Sequence, residues 1–155
     1  MMKIHFGDRI GKNGKLRIGC SAVIFDKTGQ KVLLTRRTDN GQWCLPGGAM
    51  EPGESAIETC EREIREETRL EVRAGRLIGV YSDPHQLVEY PDGNKVQIVV
   101  LNFEAEVISG EPGLSDETTE FGYFTWAEIE SMNLIGRQKE RIADALIRQE
   151  AAFVR

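Results

Sequence analysis

Residues 48–70 read GAMEPGESAIETCEREIREETRL, and the architecture follows from this stretch. Pro52 and Gly53 mark a turn. Ser55 and Glu58 then form an S-x-x-E capping box, which predicts a helix starting at about residue 55. At about 100° per residue, with Ile57 at 0°, Ile64 falls near 340° and Cys60 near 300°. These three side chains make a narrow apolar stripe, enough to dock the helix on a sheet.

The same segment carries Glu51, Glu54, Glu58, Glu61, Glu63, Glu66 and Glu67, opposed only by Arg62, Arg65 and Arg69. Like charges three and four residues apart on a helix repel. By the same count Glu67 lies near 280°, Glu63 near 240° and Glu66 near 180°, a ribbon along one edge of the stripe. Glu58 and Glu61 fall on the other side and read as surface charge. A carboxylate beside a buried stripe is partly desolvated, and clustered carboxylates raise one another's pKa. One reading is a solvated acidic face with i,i+4 pairs such as Arg62–Glu66. The other is a site for hard divalent cations, since carboxylate oxygens suit Mg²⁺, which in turn recruits phosphates. The ribbon hugs the stripe instead of opposing it, which favours the second reading.

The surrounding chain has 155 residues, enough for one domain with a real core. A net charge of −5 argues against nonspecific attraction to nucleic acid or membranes. The apolar run VQIVVLNF (96–103) is far too short to cross a bilayer, and the start MMKIHFGDRI does not read as a signal peptide. Cys20, Cys44 and Cys60 are odd in number and widely spaced, so neither a disulfide framework nor a zinc site is expected. A reducing cytoplasm is the expected location.

Strands are expected at 15–26, 31–37, 71–82, 85–90, 95–107 and 119–126, with a short one at WCL (43–45). PDGN (91–94) reads as a turn. Residues 1–14 read as a flexible lead-in, since GDRIGKNGK fails the G-x-x-x-x-G-K-[ST] phosphate-loop pattern at Lys12. WAEIESM (126–132) reads as a short helix. RQKERIADALIRQEAAF (137–153) reads as the long one, with Ile142, Ala145, Leu146 and Phe153 at helical spacing. Strands alternating with two main helices predict an α/β fold, an α/β/α sandwich around a mixed β-sheet.

Gly48, Glu54, Arg62, Glu63, Ile64, Glu66, Glu67 and Leu70 together resemble the signature of the Nudix hydrolases. That signature is G, five residues, E, seven residues, R-E-U, one residue, E-E, one residue, G-U, where U is bulky and aliphatic. QWCLPGG (42–48) looks like the family's lead-in, and Arg69 alone departs, standing where the family has glycine. The resemblance, covering about residues 15–150, implies hydrolysis of nucleoside diphosphates linked to another moiety. It implies that Glu63, Glu66 and Glu67, with the Gly47 carbonyl, hold Mg²⁺ or Mn²⁺. It also implies that Arg62 orients the glutamates, that Gly48 supports the site, and that Glu54 either supports it or binds another metal ion. Many members pair as homodimers. The general base varies within the family. LSDETTE (114–120) looks like its second catalytic loop and makes Glu117 the favoured base, with Glu66 or Glu67 as alternatives.

Arg36 and Arg37 are either phosphate contacts or solvated strand-end charges. Tyr81 and Asp83, in YSDPHQ, either line the substrate pocket or belong to a plain loop. Trp43 and Trp126 read as core. A ligand-binding sensor without catalysis is the competing function, although the signature glutamates are all retained. Isomerase and RNA-decapping activities, also known on this fold, lack their expected features here. Arg69 is expected at a left-handed position closing the helix.

Overall fold

In the computed structural model, which describes all 155 residues, the predicted helix is the hinge of the architecture. It runs Ala56–Thr68 (α1), and Ser55 and Glu58 make the reciprocal capping box. Before it come β1 (Lys3–Phe6), a 3₁₀ turn (Ile10–Asn13), β2 (Lys15–Val23), β3 (Lys31–Arg37), β4 (Trp43–Cys44) and β5 (Gly47–Ala49). After it come β6 (Glu71–Tyr81), β7 (Gln86–Glu89), β8 (Lys95–Ser109), β9 (Thr118–Thr125), α2 (Trp126–Ser131), α3 (Gln138–Ile147) and β10 (Phe153–Val154).

There are two sheets where the sequence suggested one. The larger, seven-stranded sheet is mixed: β2 runs parallel to β8 and antiparallel to β5, while β6 and β7 lie antiparallel to β8. The smaller sheet is antiparallel, in the order β4-β3-β9. Period-two alternation along adjoining β2 and β3 sends side chains to opposite faces. Ala22, Ile24 and Leu33 pack with Cys60 and Ile64 of α1, while Val23, Val32 and Leu34 pack with Ile129 of α2 and with Ile142 and Ala145 of α3. Helices therefore cover both faces, as expected for the sandwich. Trp43 and Trp126 pack against the second cluster, in agreement with the core reading.

Three local expectations change. The residues 1–14 are not a loose lead-in: β1 pairs antiparallel with β7, and Gly11 N–H donates to the Pro84 carbonyl. The last long helix stops early, because Arg148 adopts a left-handed conformation (φ 56°) and Phe153 pairs in parallel with Gly79 of β6 instead. Within α1, Ile57 is exposed, and the buried face is completed by Thr59 and Thr68. Their hydroxyls donate to the Ser55 and Ile64 carbonyls one turn back, which lets a polar residue be buried without an orphaned group.

Arg69 closes α1 as expected, at φ 64° and ψ 9°, its N–H donating to the Arg65 carbonyl. A non-glycine residue in the left-handed region costs roughly 1 kcal/mol, part of which glycine gives back through the entropy of the unfolded chain. Arg69→Gly is therefore expected to fall between unchanged and about 1 kcal/mol more stable. Urea denaturation checks this. A clear loss would show that the Arg69 side chain, which lies over Gly113, holds the 110–113 loop in place.

Candidate functional site

The loop between β5 and α1 delivers Glu54 beside Arg62, and the Arg62 guanidinium then organises the segment. Its Nε and Nη2 pair with the Glu54 carboxylate, Nη1 reaches Glu63 Oε1 (2.8 Å) and Glu66 Oε2 (3.3 Å), and Nη2 also reaches the Ala49 carbonyl (3.2 Å). Glu54 is further held by the Thr59 hydroxyl (2.8 Å) and the Glu51 N–H (3.0 Å). The Arg62 guanidinium, followed by these donors, brings the Glu54 carboxyl down to about 2. The expected orienting role of Arg62 and supporting role of Glu54 thus have a concrete geometry.

Glu67 sits deeper, beside the buried face of α1. Its Oε2 accepts from the Gly47 N–H (3.1 Å). Burial, with the nearby charges of Glu63 and Glu117, raises its pKa to about 8 despite that bond. Burial also raises Glu63, against the pull of Arg62, with Glu66 and Glu117 adding to the rise. Acidic charge from α1 and from the 110–117 loop thus converges on one place, although the two segments are far apart in sequence. Glu117 itself is exposed, and its carbonyl accepts from the Thr38 N–H (3.1 Å). Glu66 is more open, with its side chain 59% exposed.

Glu63, Glu66 and Glu67 do not stand as a ready-made clamp, since no three acid, histidine or cysteine side chains gather closely enough to hold one ion. Like charges spread when each can find its own donor, and here Arg62 takes Glu63 and Glu66 while Gly47 takes Glu67. The donor set still fits a hard divalent cation: carboxylate oxygens on one helix face, two of them, Glu63 and Glu67, partly desolvated and raised in pKa.

Glu67, Gly47 and Gly48 border a cleft of about 260 Å³. Its apolar lining includes Ile18 and Cys20 of β2, Ile98 and Val100 of β8, and Val88 of β7. Tyr81, Asp83 and Arg37 line it as well, so three of the four candidate substrate contacts are brought together. All three already have partners: Arg37 grips Asp39 through two bonds (2.8 Å each), Tyr81 Oη donates to Asp144 (2.9 Å), and Asp83 accepts from Arg137 (2.8 Å). Arg36 is the exception. It turns away from the cleft, bonding Glu120 (2.8 Å) and the Gly41 carbonyl (2.8 Å), which makes it a strand-end clamp. The cleft also draws on Arg137, Gln138, Glu140 and Arg141, from α3 and its approach, none of which sequence reasoning selected. The available signal was the one that located Glu67: Arg141 lies about 100° from Ile142, at the edge of the buried stripe. Glu61 is likewise more than surface charge, since its carboxylate accepts from the Ala74 N–H (3.1 Å) and ties α1 to β6.

A family model described as the NUDIX domain matches residues 15–146. The chain belongs to the Nudix family. It is 40% identical over 97 residues to the ADP-ribose pyrophosphatase of Methanocaldococcus jannaschii, an alignment covering 61% of this chain and 54% of that protein. It is 36% identical over 97 residues to the nucleoside triphosphatase NudI of an Enterobacter species, covering 61% of this chain and 67% of the relative. The chain thus spans about half the length of the first relative and two thirds of the second. The MutT protein of Methanosarcina mazei superposes with a TM-score of 0.71 at 25% identity, over 88% of this chain and 98% of that one. The Nudix signature segment of this chain is therefore the β5–loop–α1 unit described above.

The two glycines before the helix serve different ends. A Cβ on Gly47 would run into the backbone of Cys20 and Ser21, whereas one on Gly48 would meet only the Glu63 carboxylate, the movable end of a side chain. Gly47→Ala is expected to cost about 1–3 kcal/mol by overpacking, and Gly48→Ala less than 1 kcal/mol while displacing Glu63. Parallel urea titrations check the order, and equal losses would contradict it.

Proposed function

We propose that the protein is a divalent-metal-dependent hydrolase that cleaves the diphosphate linkage of a nucleoside diphosphate joined to another moiety. The moiety is either a further phosphate, as in nucleoside triphosphates, or a sugar, as in ADP-ribose and nucleotide sugars. The observation that carries this reading is the position of Glu67, which borders an arginine-lined cleft and feels the charges of Glu63 and Glu117 beside it. Membership of the Nudix family supports it, as do relatives named for ADP-ribose and nucleoside triphosphate chemistry.

In this reading Glu63, Glu66 and Glu67, with the Gly47 carbonyl, would hold Mg²⁺ or Mn²⁺, which when bound neutralises phosphate charge and acidifies water. Arg62 fixes where Glu63 and Glu66 point, and Glu54 keeps Arg62 in place. Glu117 is the proposed general base: it takes a proton from the water whose oxygen attacks phosphorus, as the bridging P–O bond breaks. Its position on an exposed loop close to Glu63 and Glu67 supports the role. Glu66 is the alternative base. Arg37, beside Glu67 and oriented by Asp39, is the proposed contact to substrate phosphate. Tyr81 and Asp83 shape the cleft. No helix is long and apolar enough to cross a membrane. The three free, buried cysteines support the proposed cytoplasmic location.

The test is turnover with Mg²⁺ against a panel of deoxynucleoside triphosphates, oxidised dGTP, ADP-ribose, NADH and dinucleoside polyphosphates. At least one is expected to be hydrolysed, and Glu117→Gln is expected to lower its kcat by about 10²–10⁴-fold. Tight binding of a panel member without turnover would replace this reading with a non-catalytic binding module. Metal alone gives a second check. At a hundredfold excess over Kd, Mg²⁺ is expected to stabilise the fold by about 2.7 kcal/mol, read as a rise in Tm of several degrees. Glu63→Gln with Glu67→Gln should abolish that rise.

A further inference from the structure

Arg141, on the first turns of α3, lines the cleft yet makes no hydrogen bond or ion pair, and its Nε is sealed from solvent without a partner. Three of the other arginines lining the cleft are ion-paired, Arg37 to Asp39, Arg137 to Asp83 and Arg155 to Asp144, and Arg17, which also has only a tyrosine ring (Tyr90), is exposed to solvent. Arg141 has only the face of Tyr81, 5.5 Å from its guanidinium carbon. Asp144, one turn along α3, is the acid an isolated helix would offer it. The fold gives that acid away, one oxygen accepting from Tyr81 Oη and Arg155 Nε and the other from Arg155 Nη2 (3.1 Å). Glu140, also lining the cleft, acts on Arg141 only through space. Burial pulls Arg141 down to about 10, so it remains charged at neutral pH.

Arg141 is half-buried, a sealed Nε without a partner is costly, and five donors in a rigid fork match a phosphate. A neutral acceptor would satisfy the donors and leave the charge uncompensated. We propose that Arg141 is an anion-binding residue, receiving a phosphate of the ligand on the α3 side of the cleft that Glu67 also lines. This rests on the cleft being the substrate site, and it narrows the substrate class to nucleotides that place a phosphate beyond the group held at the α1 glutamates.

The probe is inorganic phosphate, with Tm followed in metal-free buffer. Wild type is expected to gain several degrees at millimolar phosphate, Arg141→Met to gain nothing, and Arg141→Lys to keep part of the response. Without ligand, Arg141→Met is expected to be about as stable as wild type, since only the contact with the Tyr81 ring face is lost and methionine can still pack against it. On whichever panel substrate is turned over, Arg141→Met should raise KM about 10–100-fold, the loss expected for a hydrogen bond to a charged group, with kcat within about twofold. An unchanged phosphate response in Arg141→Met would overturn the proposal, as would an Arg141-dependent response to guanosine without one to phosphate. An Arg141-dependent response in a protein that hydrolyses nothing would leave this site standing and remove the hydrolase reading. Turnover with an unaltered KM in Arg141→Met would do the reverse.

Discussion

The Arg62 guanidinium is the constraint on which the site depends. It spends bonds on one backbone carbonyl before the loop, on Glu54 within the loop and on Glu63 and Glu66 of the helix. A cluster of acids on one helix face would otherwise be a source of repulsion. With one planar, permanently charged group shared among them, Glu54, Glu63 and Glu66 are held to a common partner instead of repelling one another freely. The capping box fixes where the helix begins, Cys60 and Ile64 fix it to the sheet, and Glu61 pins its side to β6.

Arg141 is the opposite case within the same cleft. Arg62 is saturated by partners from its own neighbourhood, while Arg141 is denied its natural helical partner by two residues from distant segments, Tyr81 and Arg155. One wall therefore carries acids drawn together around a cation, and the other carries a cation left without acids. A ligand that is anionic along its length and bridges to the acids through a divalent ion complements both walls.

What was legible in the sequence was whatever depends on neighbours within one or two turns. The capping box, the ribbon position of Glu67 and the left-handed Arg69 all follow from local spacing and local sterics. The pattern failed where a partner lay far along the chain. Arg36 reads as a free cation until Glu120, 84 residues away, is folded against it. Residues 3–6 look like a tail until β7 supplies a strand to pair with. Phe153 continues the helical spacing of Ile142 and Ala145, yet the chain has already turned at Arg148 to reach β6. Ile57 and Thr68 changed places at the edge of the buried stripe because a hydroxyl bonded one turn back is buried at little cost, and hydropathy does not register that.

The separation between the two walls has a consequence for variation. The acids of α1 and the arginine that orders them occupy one run, Glu54–Glu67, tied by side-chain bonds within it and to Gly47 and Ala49 just before it. The cleft is assembled from β2, β7, β8 and α3, and no residue of that assembly bonds to Arg62. Substitutions in those outer elements therefore leave the bonds of Arg62 in place. The lining of the cleft and the ordering of the acids can thus vary separately, because they rest on different bonds.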